Sequence, residues 1–201
     1  MTVRGGDRVV AYRLASYESP LRAVPSRRPA RFHRETEPEP THYLCLHPLG
    51  PWAELVRARD LREPEALAYV RERTWAVRVD LAGCLRVTLE DAAEHGISPG
   101  DLVGDDHEPC RRWAERLRAT GVPGAIVPSA ALPGTENIVL FGDRVAAPYL
   151  APPLSPVDVP ASLTAEGARP LDTLVPLVRL RGEPYVAPDA PPEPVWALAG
   201  H

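Results

Sequence analysis

The chain has 201 residues, of which 44% are hydrophobic and 25% charged, which fits one globular domain with a sizeable core and excludes a disordered or fibrous chain. A net charge of -4 gives no reason to expect nucleic acid or an anionic membrane as partner, and no apolar run approaches the roughly 18 residues of a spanning helix. All 23 basic residues are arginine, and the three cysteines, Cys45, Cys84 and Cys110, are too few and too scattered for a disulfide framework.

The opening residues lack the apolar core of a signal segment, so a cytoplasmic protein is expected. Residues 9–14 read as a first strand, with Val9, Ala11 and Arg13 on one side and Val10, Tyr12 and Leu14 on the other. Arg13 is then either a solvent-facing arginine on an edge strand or an anion-binding group on a rigid element. An arginine-rich stretch follows over 22–40, where Pro25, Pro29, Pro38 and Pro40 prevent regular structure. It reads as a solvated loop except at Phe32, which is expected to tuck inward and fix the backbone beside Arg31.

Residues 41–46 form a second strand, with Tyr43 and Cys45 facing one side. A helix begins at Pro51, a position proline favours, with Trp52, Leu55 and Val56 as its apolar stripe. Glu54 is expected in its first turn, where the helix dipole alone would favour a carboxylate. A second helix is expected over 65–73 with Leu67, Tyr69 and Val70 inward. Residues 75–81 alternate as a strand, and 85–87 form another. Thr88 and Asp91, at capping-box spacing, open a helix over 89–94 that Gly96 ends. A longer helix runs over 108–120, capped by Asp105 or Asp106, with the stripe Cys110, Trp113, Ala114 and Leu117.

Two short apolar strands follow, 125–127 and 138–141. Neither alternates, so both are expected to be buried on both faces. Ser129 lies where the first leaves the core, either as a turn residue after Pro128 or as a hydroxyl presented to a cleft. From residue 151 the composition shifts: the last 51 residues hold 11 of the 25 prolines. A domain over 1–150 and a proline-rich extension over 151–201, packing on it, are expected, with 174–180 as an edge strand.

The sequence offers little for several common chemistries. His42, Cys45, His47, His107 and Cys110 suggest metal spacing, but His42 and Cys45 point to opposite faces of a strand and Cys110 belongs to a helix stripe, so no metal is expected. There is no phosphate-binding glycine loop, and Ser129 lacks a nucleophile elbow. What remains is a scattered polar set at the edges of apolar elements: Arg13, Arg31, Tyr43, Glu54, Ser129 and Asn137.

The order of those residues resembles the RES-domain family, named for its Arg, Glu and Ser. Tyr12-Arg13-Leu14 resembles the family's opening strand, and Arg31-Phe32-His33 its "Gly-Arg-Trp/Phe-Asn/His" segment. Thr41-His42-Tyr43-Leu44 and Trp52-Ala53-Glu54 resemble its Tyr strand and "Ala-x-x-Glu" helix. Gly121-x-x-Gly124-Ala125-Ile126-Val127-Pro128-Ser129 resembles the serine motif, and Asn137-Ile138-Val139-Leu140-Phe141 the closing strand. The match covers roughly residues 8 to 145; Ala30 stands where glycine is usual and His33 where asparagine is common.

The resemblance implies an α+β fold similar to ADP-ribosyltransferases, a split mixed β-sheet with flanking helices and NAD bound as substrate in the cleft. It implies a toxin of a toxin–antitoxin pair, with a cognate antitoxin as partner, that cleaves the nicotinamide–ribose bond by hydrolysis, phosphorolysis or ADP-ribosyl transfer. Glu54, Arg31 and Ser129 would be catalytic, and Arg13, Tyr43 and Asn137 would bind NAD. Arginine suits a pyrophosphate, and a carboxylate suits an oxocarbenium-like ribose. The second reading is a RES fold without activity that serves as a partner-binding module, motivated by Ala30, His33 and the long tail. Monomer and homodimer both stay open.

Overall fold

A computed structural model describes residues 8–15, 21, 27–142 and 163–193. Residues 22–26 of the arginine-rich stretch and 151–162 and 194–201 of the proline-rich extension lie outside the described residues.

Seven strands form one mixed sheet: β1 (Arg8–Leu14), β2 (Thr41–Cys45), β3 (Glu72–Asp80), β4 (Leu85–Arg86), β5 (Gly124–Pro128), β6 (Glu136–Phe141) and β7 (Leu163–Ala168). Their order across the sheet is β4-β5-β6-β2-β1-β3-β7, with β4 and β5 parallel and every other pair antiparallel. Helices α1 (Gly50–Arg59), α2 (Pro64–Leu67), α3 (Pro99–Val103) and α4 (Glu108–Ala119) flank it. The architecture is α+β.

Burial explains the two strands without alternation. Ala125 and Val127 of β5, with Val139 and Phe141 of β6, pack with Phe32, Trp113 and Ala114 on one face. Ile126, Ile138 and Leu140 face the other side, against Leu44, Trp75 and Val77. A strand covered on both faces has no wet side on which to place polar residues.

The sheet divides at its middle. β1 pairs with β3 over seven residues, but with β2 it shares only the partners Tyr12 and Cys45. The two halves therefore splay, and the opening between them is where the site lies. Helix α1 closes onto this seam. A Cβ on Gly50 would sit 2.5 Å from the Cβ of Cys45, so only glycine lets the helix start this close to β2.

Several elements differ from expectation. The helix over 65–73 is only α2; the chain then becomes β3, because residues from Glu72 onward pair with β1 and β7 and that pairing outweighs local helix preference. Tyr69, expected inward, is 89% exposed. Thr88 and Asp91 do make the reciprocal capping bonds, Asp91 N–H to Thr88 Oγ1 at 3.3 Å and Thr88 N–H to Asp91 Oδ1 at 2.6 Å. They open only a 3-10 turn, Ala92–His95, ended by Gly96 in the left-handed region. Helix α3, capped by Ser98, has no counterpart in the expected elements.

The C-terminal segment departs most. Residues 174–180 are not a strand; they contain a 3-10 turn, Val175–Leu177, and the edge strand is β7 instead. Leu174, Val178 and Leu180 are buried against Trp52 and Val56 of α1 and against Ala131 and Leu132. Because Pro176 removes a ladder donor, this stretch buries side chains without joining the sheet.

The Gly50 contact carries a direct test. Gly50→Ala is expected to lower stability by about 1–3 kcal/mol through overpacking against Cys45, read as a drop of roughly 2–4 °C in Tm per kcal/mol in thermal unfolding. An unchanged Tm would show that α1 can move off the seam freely.

Candidate functional site

The splayed seam forms a cleft of about 480 Å³, within the size range of ligand sites. Arg13 on β1, Arg31, Tyr43 on β2, Glu54 on α1 and Asn137 on β6 all line it. The register explains part of this convergence. Cys45 is the partner of both Tyr12 and Asn137, so the residues beside Tyr12 and Asn137 itself are brought to one point of the sheet.

Glu54 lies one residue beyond the first turn of α1, because the helix starts at Gly50. The helix-dipole explanation for a carboxylate there therefore does not apply. Its Oε1 accepts a 2.7 Å hydrogen bond from Asn137 Nδ2, which fixes both the carboxylate and the amide orientation. Cys45 lies beneath; burial first and then the Glu54 charge push its thiol well up, so it is not a nucleophile.

Arg31 is held by a built turn. Ala30 N–H donates to His33 C=O at 3.0 Å, and the buried His33 ring bridges Arg28 and Tyr43. Its Nε2 is 2.7 Å from the Arg28 carbonyl, which can only accept, so Nε2 carries the proton and Nδ1 accepts from the Tyr43 hydroxyl at 2.9 Å. Phe32 N–H donates to the same hydroxyl at 3.0 Å. Burial lowers the His33 pKa, in keeping with a neutral ring, and raises that of Tyr43. Phe32 is buried and packs on Trp113, as its position beside Arg31 leads one to expect. Alanine and histidine thus close this turn, the two positions at which the sequence departs from the pattern it resembles. Arg31 itself donates to Gly104 C=O at 2.7 Å, at the end of α3, where carbonyls point outward.

Tyr43 accordingly has two roles in space. Its hydroxyl is spent on the Arg31 turn, while its ring lines the cleft.

Of the two sequence readings of Ser129, the structure favours the turn residue over the cleft hydroxyl. It has no exposed surface, does not line the cleft, and its hydroxyl accepts from Leu132 N–H at 3.1 Å. Its own N–H donates to Thr135 C=O, and Thr135 Oγ1 donates to Leu132 C=O at 2.7 Å. The physical reason lies downstream: Ala131 and Leu132 are apolar, and the chain turns inward to bury them against α1. The hydroxyl closes that loop instead of facing a ligand.

Three arginines that the sequence did not single out also line the cleft, Arg57, Arg59 and Arg181, together with His107, which the sequence suggests only for metal spacing. Arg57 follows Glu54 by three residues on α1, so it shares that face, and this spacing was the available signal. It is 5% exposed, donates to Arg179 C=O at 2.7 Å and pairs with Asp105. Burial, and then the neighbouring Arg179 charge, lower its pKa. Asp105 also approaches Arg179 at 3.6 Å and accepts from Gly182 N–H at 2.7 Å. Both arginines are buried and Asp105 is exposed, so removing the carboxylate would leave two buried guanidiniums without the anion between them. The cleft is therefore strongly positive around a single braced carboxylate.

Among the described residues no group of three His, Cys, Asp or Glu side chains could hold a metal ion, and no helix is long and apolar enough to cross a membrane. All three cysteines are free and buried.

This cleft, with its braced glutamate and converging arginines in a divided mixed sheet, belongs to a defined class of domain. The family model of the RES domain matches residues 8–162, and the chain belongs to that family. Among solved structures it is similar to a chain of the M. tuberculosis MbcT–MbcA toxin–antitoxin complex, with a TM-score of 0.60 and 18% identity, covering 84% of this chain and 87% of that one. That likeness is one of fold. No curated protein matches the chain in sequence.

His107 gives the site a pH signature. Burial first, then the charges of Arg31, Arg111, Arg181 and Arg57, lower its pKa from 6.5 to about 4. Between those values the unfolded chain binds a proton that the folded chain does not, so stability rises with pH across the window and is lost as pH falls through it. Thermal unfolding at pH 4.5 and pH 7 should show this loss, and His107→Asn should reduce it. His33 and His47, also lowered by burial, supply a residual slope of the same sign.

Proposed function

We propose that this protein consumes NAD by breaking the bond between nicotinamide and ribose, with water, phosphate or a protein side chain as acceptor. The observation that carries the reading is the Glu54–Asn137 pair, fixed at 2.7 Å, in a cleft whose other charged walls are arginines. Family membership supports the substrate class.

The chemistry follows from those groups. Loss of nicotinamide leaves positive charge spread over the ribose carbon and ring oxygen. A carboxylate held in place before the reaction stabilises that charge without reorganising. Glu54 fills this role, and Asn137 positions it. Arg13 and Arg31 hold the pyrophosphate through charge-assisted bonds. The Tyr43 ring offers a face to nicotinamide. Nicotinamide is a good leaving group, so no general acid is needed, and no step of this reading calls for a metal. Ser129 acts at one remove: its hydroxyl shapes the loop that packs under α1, and so supports Glu54 from behind.

The test is nicotinamide release from NAD by the purified protein, with and without phosphate and cell extract. Glu54→Gln is expected to reduce release by about a hundredfold or more while unfolding at an unchanged temperature. Absence of release from the wild-type protein under all these conditions would remove the NAD reading. Release unaffected by Glu54→Gln would remove Glu54 from its role.

We further propose that the protein is the toxin of a toxin–antitoxin pair. The similar fold of a chain in the MbcT–MbcA toxin–antitoxin complex supports this. Induced expression is expected to lower cellular NAD and halt growth, and co-expression of its cognate antitoxin to restore both. Normal growth at high expression of the active protein would contradict the role.

A further inference from the structure

Residues 180–183 make a tight turn. Glu183 N–H reaches Leu180 C=O at 3.4 Å, and the Glu183 carboxylate accepts from Leu180 N–H at 2.8 Å. Gly182 sits at φ +85°, a conformation that L side chains resist. Its N–H is tied to Asp105 at 2.7 Å, and Asp105 is tied to Arg57 of α1.

The residue before the turn anchors it further. Arg179 is buried and spends its guanidinium on carbonyls: Val103 at 2.9 Å, Glu183 at 2.9 Å and Ala130 at 3.4 Å. Leu180 is buried in the cluster with α1. Nearly every polar group around Arg181 is thus engaged in holding the turn still.

Arg181 itself is the exception. It is exposed, lines the cleft, and has no hydrogen-bond or ion-pair partner among the described residues. In the same cleft Arg57 pairs with Asp105 and Arg59 with Glu72. A rigid turn has been built to hold a guanidinium over a cavity already rich in like charge. That arrangement is unfavourable in isolation and becomes favourable when an anion enters.

We propose that Arg181 is a phosphate-binding residue of the nucleotide site, supplied by the C-terminal segment from outside the matched domain of residues 8–162. The inference rests on the NAD reading and deepens it: substrate affinity depends on the turn at 180–183 as well as on β1 and the Arg31 turn. Because Arg181 meets the diphosphate and not the ribose carbon, it serves binding rather than bond breaking.

The experiment compares wild type, Arg181→Gln and Arg181→Lys in two assays: NAD cleavage, with KM and kcat resolved, and calorimetric binding of ADP-ribose, which keeps both phosphates. Arg181→Gln is expected to raise KM and weaken ADP-ribose binding about tenfold or more, with kcat within about threefold. Arg181→Lys should fall between, since it keeps the charge but loses the fork. Tm should not change in either variant. Wild-type KM and ADP-ribose affinity in Arg181→Gln would overturn the inference while leaving the NAD reading intact. A wild-type protein that neither cleaves NAD nor binds ADP-ribose would overturn both.

Discussion

Cys45 is the point on which the architecture turns. On its own strand it ends β2; across the sheet it is the partner of both Tyr12 on β1 and Asn137 on β6; and its side chain meets the start of α1 at Gly50. β1 touches β2 at this one registered pair and then diverges, so the cleft opens beside it. Arg13 follows Tyr12, Asn137 is the cross-strand partner of Cys45, and Glu54 stands on the helix packed against it. A fully buried thiol suits such a junction, being small, apolar in behaviour and inert at this burial.

Around that junction the molecule invests in rigidity. The Arg31 turn is locked by a relay from the Arg28 carbonyl through His33 to the Tyr43 hydroxyl. Glu54 is locked by Asn137, and α1 is locked to the C-terminal segment through Arg57, Asp105 and Arg179. These bonds are short-range and partly or fully buried, where screening is weak and an unmade bond is expensive. The pairs that Arg34 makes with Glu108 and Glu115 belong to another category, since they lie at the surface, where water screens them. Preorganisation is what a site needs if its work is to meet developing charge without moving.

The C-terminal segment changes the picture of the domain. Its prolines suggest an appendage, yet Leu174, Val178 and Leu180 complete the core beneath α1, and Arg179 caps the carbonyls of the Ser129 loop. Proline-rich chain can do this because it needs no ladder: the fixed backbone lowers the entropy lost on packing, and side chains alone supply the contacts.

Much of this was legible in residue order. The paired apolar strands around Ser129, the alternation of β3, the amphipathic α4 and the inward Phe32 follow from local pattern, because burial on one or both faces writes itself into periodicity. The polar set Arg13, Arg31, Tyr43, Glu54 and Asn137 could be assembled only through the family resemblance, since the residues are up to 124 positions apart and nothing local links them. Tertiary structure alone decided three matters. Ser129 turned inward because the apolar residues after it seek the underside of α1. The expected second helix shortened to α2 and the expected strand after it began at Glu72, because pairing on both edges outweighed local preference. Arg181 reached the cleft because two buried arginines sharing the Asp105 carboxylate, spread over α1, the loop after α3 and the C-terminal segment, fix the turn that carries it. Periodicity records which side of an element is buried; it carries no record of which distant loop will come to lie beside it.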